Sequence, residues 1–214
     1  TNWISVDCKV AILKPTYSEY PHILKNVIGC KVDEYETLPD DLSEYAFVCI
    51  VNPNSPTGTW VDYTQIIKSN QGTKFWIDET YIDFFDTQKR METACLPNMY
   101  VCKSMSKSYG LSGARVAYVV GPSHADALME RTKLLTPPWC VSYPAQVAAI
   151  QALRDEESYY VHIWKQTNDM REECVKTIGE FAQSSCCNFY LVVNKKGLYE
   201  HLKTRNIFTR FISD

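Results

Sequence analysis

The sequence lacks an excess of basic residues: 22 lysines and arginines stand against 25 aspartates and glutamates in 214 residues, a net charge of −3. This balance gives no electrostatic basis for binding nucleic acid or an anionic membrane. Apolar runs of the roughly 20 residues needed to span a bilayer are also missing. The start has no basic region leading into an apolar stretch, so we predict no signal peptide.

Metal-site and glycosylation motifs are missing as well. Nine cysteines are present, but the sequence has no Cys-x-x-Cys pair, no cysteine–histidine cluster with zinc spacing and no Asn-x-Ser/Thr acceptor. Cys49 and Cys102 lie in apolar runs, where a reduced thiol packs as a small hydrophobic group. We therefore predict a reduced, cytoplasmic protein without a metal site.

Short apolar runs alternate with amphipathic stretches over the first 122 residues. The runs cover residues 10–17, 46–54, 74–80, 99–107 and 115–122, and the amphipathic stretches include residues 18–29 and 61–69. Near-continuous apolar strands are typical of a parallel sheet that is covered on both faces. The pattern therefore predicts an α/β fold with a mostly parallel sheet and helices on both faces.

The pattern changes after Pro138. The predicted elements are helices at residues 141–154 and 157–182, a strand at 188–193, a helix at 196–204 and a strand at 207–212. We therefore expect a large domain over residues 1–156 and a partial α+β small domain over residues 157–214.

Polar residues gather where the predicted strands end. Tyr17 follows the first run, residues 52–55 end the second, and Asp78 and Lys107 lie at the ends of the next two. Open α/β sheets bind ligands beyond the carboxyl ends of their strands. We therefore predict that these residues line one crevice.

Lys107 lies in the segment SMSKSYGLSGAR (residues 104–115), among serines and small residues, with Arg115 eight positions further on. The ordinary interpretation is a solvated lysine. An amine at the mouth of a buried sheet can also form a Schiff base, while nearby hydroxyls and a guanidinium hold a phosphate. Ser104-x-x-Lys107 also matches the S-x-x-K of serine acyltransferases, but the partner elements S-D-N and K-T-G are missing.

Asp78 lies inside FWIDETYIDF (residues 75–84), between bulky apolar residues. An aspartate at a strand end is usually solvated or caps a helix, yet a carboxylate in apolar surroundings needs a cationic partner. The protonated pyridine nitrogen of pyridoxal 5′-phosphate (PLP) is such a partner. Tyr81, three residues later, could reach the phenolic oxygen of this cofactor.

Three segments, VNPNSPTG (51–58), IDETY (77–81) and SMSKSYGLSGAR (104–115), resemble in this order the signatures of the fold-type-I PLP-dependent aminotransferases. Within that superfamily the chain is most similar to the group of histidinol-phosphate aminotransferases and threonine-phosphate decarboxylases. KPTYSEY (14–20) fits the segment that precedes these signatures, and residues 188–211 resemble the start of the family's small domain. The resemblance implies a PLP-transferase-like large domain followed by part of a small domain.

The resemblance also implies a role for each matching residue. Lys107 takes the position of the Schiff-base lysine, which later moves the proton of the substrate's α-carbon. Asp78 and Tyr81 take the positions that bind the pyridinium nitrogen and the O3′ oxygen of the cofactor. Tyr17 takes the position of the aromatic residue that stacks on the cofactor ring. The phosphate ligands are matched by Ser104, Ser106 and Arg115.

Two departures from the family pattern are visible. The position before Pro-Thr-Gly is usually asparagine but here is Ser55, whose hydroxyl has a shorter reach, so Asn54 or Asn52 could substitute. The chain is also expected to lack the family's N-terminal part, including a glycine-containing phosphate loop, and its C-terminal part, including the arginine that binds the substrate carboxylate. Arg205 or Arg210 could take over that role. We expect a piece of a longer enzyme rather than a relative that has lost catalysis.

The leading hypothesis, implied by the resemblance, is a homodimeric PLP-dependent aminotransferase for a small amino-acid or amino-alcohol phosphate, with an amino donor and a 2-oxo acid acceptor. A decarboxylase of O-phosphothreonine type is the close alternative, weakly favoured by Pro-Pro-Trp within residues 131–146. A third hypothesis is a non-catalytic module that binds a partner protein through an open sheet edge. The sequence leaves the substrate open.

Overall fold

One six-stranded sheet organises the structure, a computed structural model that describes residues 4–94, 96–122, 127–193 and 195–212. The strands are β1 (Lys9–Leu13), β2 (Lys31–Tyr35), β3 (Phe47–Val51), β4 (Lys74–Asp78), β5 (Met99–Ser104) and β6 (Ala117–Val120). Their order is β2-β1-β3-β4-β5-β6, with β1 to β5 parallel and β6 antiparallel to β5. The predicted α/β fold with a mostly parallel sheet is confirmed.

Helices connect and flank these strands within the described residues. They are α1 (Glu19–His22), α2 (Thr64–Ser69), α3 (Ala127–Leu135), α4 (Tyr143–Arg154), α5 (Val161–Ile178) and α6 (Leu198–Lys203). α1 continues as a π-helical turn over Ile23–Ile28, and a second π-helical turn over Glu156–Tyr160 leads into α5. Short 3-10 turns cover Ile82–Phe84, Thr87–Lys89, Met91–Ala94, Ser112–Ala114 and Gly179–Phe181.

Both faces of the sheet are apolar and covered by helix. On one face Val48 and Ile50 pack in a cluster with Ile67 of α2. On the other face Ile12 packs in a cluster with Leu24, from the helix that follows β1. β3 (FVCIV) is buried at every position because it has a strand on each side and side chains packed on both faces. Burying one such aliphatic side chain contributes about 1.5–3 kcal/mol.

α4 and α5 pack on the hairpin that β5 and β6 form. Ser142 is the N-cap of α4, and its hydroxyl accepts a hydrogen bond from Ala145 N. Ala145, Ala149 and Ala152 recur at helical spacing and form the buried face of α4, which lets the helix approach closely. Trp164 of α5 is buried in the same cluster as Ala149 and Ala152. The element that carries the predicted lysine is therefore fixed from outside the sheet.

The two predicted strands of the small domain are wrong. Residues 188–193 contribute only an isolated bridge between Ala182 and Val192, and residues 207–212 belong to no strand. Both segments have a strand-like apolar composition, but no described neighbour completes their backbone pairing, and Phe208 is 75% exposed. The sequence analysis also missed β2, whose charged letters KVDEY belong to a half-exposed edge strand. The domain boundary at residue 156 stays a prediction.

Among the described residues, no helix has the length and apolar character needed to cross a lipid bilayer. The described cysteines carry free thiols. No cluster of three or more histidine, cysteine, aspartate or glutamate side chains within the described part could hold a metal ion.

Candidate active site

Asp78 ends β4 near the middle of the sheet, and its side chain is only 9% exposed. Its Oδ2 accepts a hydrogen bond from the Tyr20 hydroxyl at 2.7 Å. Its Oδ1 accepts from the backbone N of Thr80 at 2.9 Å and from Thr80 Oγ1 at 2.5 Å. These three hydrogen bonds satisfy a carboxylate that burial would otherwise destabilise. The protein thus holds Asp78 with neutral donors, and the cationic partner that the sequence predicts for it, the ring nitrogen of the cofactor, stays a prediction.

Tyr20 is the main site residue that the sequence analysis missed. Its hydroxyl donates to Asp78 and accepts from Trp76 Nε1 at 3.0 Å. Burial and the adjacent Asp78 charge raise the pKa of Tyr20 far above its usual value, so the phenol stays protonated and remains a donor. Tyr20 lies within the amphipathic stretch predicted over residues 18–29. Its polar contact 58 positions along the chain left no signal in the sequence.

Tyr17 and Tyr81 lie on either side of this carboxylate in the sequence and near it in the structure. The Tyr17 ring packs edge-on against Tyr20, with 6.2 Å between centroids, and its side chain is 40% exposed. Tyr81 packs edge-on against Phe189 at 5.0 Å. Burial raises the pKa of Tyr81 to about 12; the neighbouring Cys187 and Asp78 add to this shift, whereas Arg210 opposes it. The phenol of Tyr81 therefore stays protonated at neutral pH.

The loop after β3 carries Asn54 and Ser55. Asn54 Nδ2 donates to Pro15 O at 3.0 Å and to Thr57 Oγ1 at 3.0 Å, which ties this loop to the segment after β1. Its Oδ1 is buried and has no partner in the described structure. Ser55 lines a cavity at the end of β1. The side-chain oxygen of Asn54 is therefore still available to accept a hydrogen bond.

Asn52 does not fit the substitute role that the sequence analysis allowed it. Its Nδ2 donates to Val61 O at 2.8 Å, and its Oδ1 accepts from Val61 N at 3.0 Å. Both ends of the amide are thus used to hold the chain that follows the loop, and the side chain is buried.

Lys107 lies beyond the end of β5, in the loop of the β5–β6 hairpin. Ser104 pairs with Ala117, and Met105 N donates to Val116 O at 3.3 Å, so residues 106–115 project past the sheet. The Lys107 side chain is exposed and makes no hydrogen bond or ion pair with the described residues. Its amine is therefore accessible. Because β5 is the direct neighbour of β4, the hairpin begins beside Asp78.

The three predicted phosphate ligands lie on the same hairpin. Ser106 N donates to Ser104 Oγ at 3.3 Å. The strand register brings Arg115 to the same end of the hairpin as these serines, although its Nη1 donates to Ser112 O at 2.9 Å. The structure thus brings Ser104, Ser106, Lys107 and Arg115 together on one element. Their individual roles stay predictions.

Comparison with known families decides the assignment of the chain. Residues 3–210 match the family model described as aminotransferase class I and II. The chain belongs to this family. Of the curated relatives, a histidinol-phosphate aminotransferase from Marinomonas sp. (strain MWYL1) is 33% identical over 193 residues, 84% of this chain and 54% of the relative. The chain spans 54–61% of the length of this relative and of two other curated histidinol-phosphate aminotransferases that it matches.

Solved structures show that the chain has the aminotransferase fold. The L-threonine-O-3-phosphate decarboxylase of Porphyromonas gingivalis superposes with a TM-score of 0.79 at 22% identity, over 95% of this chain and 68% of the other. The histidinol-phosphate aminotransferase of Sinorhizobium meliloti, a complex with pyridoxal-5′-phosphate, gives a TM-score of 0.78 at 20% identity, over 97% and 63%. At these identities the likeness establishes the fold alone.

A cavity of about 340 Å³ extends the site of this aminotransferase-family chain to the end of β1. Its walls include Tyr17 and Ser55 from the predicted site, together with residues 210–212. Arg210 Nη2 lies 3.4 Å from Ser18 Oγ, within hydrogen-bonding distance. The last described segment therefore lies against the loop that follows β1.

Proposed function

We propose that this chain forms the cofactor-binding part of a PLP-dependent aminotransferase that acts on a small amino-acid or amino-alcohol phosphate. The observation that carries the proposal is the buried carboxylate of Asp78, held by Tyr20 and Thr80 at the end of β4, beside the hairpin with the accessible Lys107. Family membership supports the reaction class.

Two buried polar atoms support the presence of a ligand at this edge of the sheet. Asn54 Oδ1 and Ser108 Oγ have no hydrogen-bond partner in the described structure. They lie on the loops that follow β3 and β5, the two strands that flank β4. A buried polar atom without a partner costs about 1–3 kcal/mol, and a polar ligand at this edge of the sheet would offer such atoms a partner. The residues present therefore fit PLP.

Each residue has a defined task in the proposed reaction. Asp78 would accept the N–H of a protonated ring nitrogen, and the protonated Tyr81 would donate to the phenolic oxygen. Ser104, Ser106 and Arg115 would bind the phosphate. When bound, PLP supplies an aldehyde for amines and a ring that accepts the electron pair left on the α-carbon. Lys107 would hold that aldehyde until the substrate amine takes its place, and the freed Lys107 amine would then remove the α-proton and deliver it to the adjacent cofactor carbon.

The proposal is tested by a spectrum of the purified protein with and without PLP. After unbound PLP is removed, the bound cofactor should absorb near the visible edge, and borohydride should abolish that absorption and leave the cofactor covalently attached to the wild-type protein but not to Lys107→Ala. Covalent attachment of the cofactor to Lys107→Ala after borohydride would contradict the assignment. A wild-type protein that stays colourless with added PLP would favour the binding-module hypothesis.

Transamination and decarboxylation are separated by their products. Amine transfer to 2-oxoglutarate supports the aminotransferase, whereas release of CO₂ from O-phosphothreonine without amine transfer supports the decarboxylase. The fold does not choose between them, because an enzyme of each name superposes on this chain almost equally well. The curated relatives named histidinol-phosphate aminotransferase favour the first.

The binding-module hypothesis has less support. The exposed edge of the sheet at β2 carries Lys31, Asp33 and Glu34. Charged side chains along an edge strand oppose the addition of another strand. Lys25 and Lys14 also pair with Glu34 beside this edge.

We infer that the proposed enzyme is a homodimer, in which a second copy of the chain binds through α3 and α4. These helices and their connection expose large apolar side chains on one stretch: Leu134, Leu135, Trp139, Tyr143, Val147 and Ile150. Trp139 is 90% exposed. An apolar surface of this kind is typical of an interaction site. Light scattering after size-exclusion chromatography should give twice the monomer mass, and Val147→Glu should shift it to that of the monomer.

A further inference from the structure

A network of buried polar side chains lies beneath the candidate site and is not part of it. Its members are Glu79, Asp83, Arg90, Lys103, Tyr109 and Glu156. The side chains of Lys103, Glu79 and Asp83 are at most 2% exposed. We call these six residues the buried charge network.

Lys103 is the centre of this network. Its Nζ lies 3.4 Å from Glu79 Oε2, 3.6 Å from Asp83 Oδ1 and 3.9 Å from Glu92 Oε1. Glu79 Oε1 in turn accepts a hydrogen bond from Met91 N at 2.5 Å. One lysine on β5 therefore contacts the residue that follows β4 and the first and third of the 3-10 turns after it.

Arg90 extends the network to the lysine hairpin. Its Nε and Nη2 donate to Asp83 Oδ1 at 3.0 and 2.7 Å, and its Nη1 donates to Glu156 Oε1 at 2.9 Å. Glu156 Oε2 accepts from the Tyr109 hydroxyl at 2.6 Å. Tyr109 follows Lys107 by two positions, so the hairpin loop is attached to the network at its inner side.

The members of the network are neighbours in sequence of the proposed catalytic residues. Glu79 directly follows Asp78, and Asp83 follows Tyr81 by two positions. Lys103 and Tyr109 lie on either side of Lys107. The network thus contacts each segment that carries a proposed catalytic group, and among the described residues no hydrogen bond or ion pair joins it to the side chains of Asp78, Tyr81 or Lys107.

Stability alone does not account for such a network. Removing an ion from water costs several kcal/mol, and apolar side chains of similar volume often stabilise a core equally well. Hydrogen-bonded charges differ from apolar contacts in fixing distance and direction. A requirement for fixed geometry explains why charges occupy this part of the core.

We propose that the buried charge network positions Lys107 relative to Asp78, with Lys103 and Tyr109 as its positioning residues. Lys103 fixes the spacing between the ends of β4 and β5 through Glu79 and Asp83. Tyr109 fixes the hairpin loop through Glu156. This inference rests on the proposed function, because it concerns the residues to which PLP binding is assigned.

The experiment compares Tyr109→Phe with the control Tyr45→Phe. The two tyrosines are both buried and both donate to a carboxylate, Glu156 at 2.6 Å and Asp33 at 2.7 Å, but Tyr45 lies at the opposite, amino end of β3. The measurements are the PLP dissociation constant and hydrogen exchange of residues 105–111 in the PLP-free protein. Tyr109→Phe should weaken PLP binding about tenfold and speed exchange of the hairpin. Tyr45→Phe should change PLP affinity less than about twofold at a similar loss of Tm.

Lys103 provides the second arm. Lys103→Arg keeps a cation and should retain PLP affinity within about threefold, whereas Lys103→Met should lose about a hundredfold. If Lys103→Met does not fold, Lys103→Arg and the two tyrosine variants decide the question. Equal effects of Tyr109→Phe and Tyr45→Phe on both measurements would overturn the positioning role. If the wild-type protein binds no PLP, the proposed function fails, and hydrogen exchange alone decides whether the network orders the hairpin.

Discussion

β3 and the last described segment have similar apolar letters and opposite structures. FVCIV (47–51) is buried at every position, whereas IFTRFI (207–212) forms no strand and exposes Phe208 and Phe211. β3 has a neighbouring strand on each side and side chains packed on both faces. Apolar composition therefore produces a strand only where backbone partners and a second layer are available.

The same contrast separates the two ends of the candidate site. Asp78 is held by three hydrogen bonds on a central strand, and the next residue, Glu79, lies 3.4 Å from Lys103 Nζ in the buried charge network. Arg210 reaches the site from the exposed segment, through one long contact with Ser18. The central residues are fixed by the fold, and we therefore expect the largest functional effects there.

The strongest test of this contrast is Asp78→Asn. Asparagine keeps the shape and can still accept from Thr80, but it removes the negative charge that would face a protonated ring nitrogen. We expect amine transfer to fall about a thousandfold in kcat/KM, about 4 kcal/mol of transition-state stabilisation. Tyr20→Phe leaves the charge in place and should cost less. Full activity in Asp78→Asn would refute the role of this carboxylate.

Ile50→Ala tests the core side of the comparison. Ile50 is 1% exposed in the middle of β3. Its truncation should lower the free energy of unfolding by about 3 to 4 kcal/mol, because the surrounding strands cannot close the cavity. Urea unfolding followed by circular dichroism measures the loss. A change under about 1 kcal/mol would mean that this part of the sheet is loosely packed.

These regions also differ in how far the sequence predicts them. Apolar runs predicted β1, β3, β4, β5 and β6, and the strand ends predicted that Asp78 and the hairpin of Lys107 lie at one edge of the sheet. Such patterns indicate which individual residues are buried. They contain no information on which donor meets which acceptor, so the pairing of Tyr20 with Asp78 and of Lys103 with Glu79 was not predicted.

The errors have a physical cause of the same kind. β2 was missed because an edge strand needs few apolar residues once β1 supplies its backbone partners. The strands at 188–193 and 207–212 were predicted from composition, which cannot show whether a partner strand exists. Edges and peripheral segments are therefore where pattern-based prediction fails.

Glu79 gives a pH-dependent test of the central region. Burial raises the pKa of Glu79 to about 7, with Glu92 adding to the shift and Lys103 and Met91 N opposing it. The native protein thus holds a proton that the unfolded chain releases near pH 4.5. Between pH 4.5 and 7 the folded state binds more protons than the unfolded state. The free energy of unfolding should therefore fall by about 3 kcal/mol as the pH rises through this interval.

The matched control for this prediction is Glu79→Gln, which cannot titrate but keeps an acceptor for Met91 N. Its unfolding free energy should stay nearly level over the same pH interval. Thermal melts of both proteins at half-unit pH steps measure the difference. Parallel curves for the two proteins would exclude Glu79 as the titrating group.

Gly58, in the loop after β3, packs against the segment that follows α5, where Cys186 N donates to Gly58 O at 2.7 Å. It has φ 72°, and an added Cβ would lie 2.1 Å from Ser185 Oγ and 2.6 Å from Ser185 Cβ. Gly58→Ala should therefore destabilise the protein by about 2 kcal/mol, from left-handed backbone strain and from overlap. Adding Ser185→Gly should recover about half, because it removes the overlap and leaves the strain. If Gly58→Ala costs as much stability in the Ser185→Gly background as in the wild-type protein, the Cβ added at residue 58 does not overlap with Ser185.

The smallest effect is expected for Phe208→Ala in the exposed segment. Phe208 is about as apolar as Ile50, but three quarters of its side chain is already in contact with water, so truncation removes little buried surface. The free energy of unfolding of this chain should change by less than about 0.5 kcal/mol. A loss comparable with that of Ile50→Ala would mean that residues 207–212 are buried in solution, by a second copy or by a segment beyond the described residues. The loss of unfolding free energy on Phe208→Ala therefore distinguishes a segment that is exposed to solvent from one that is buried in an interface.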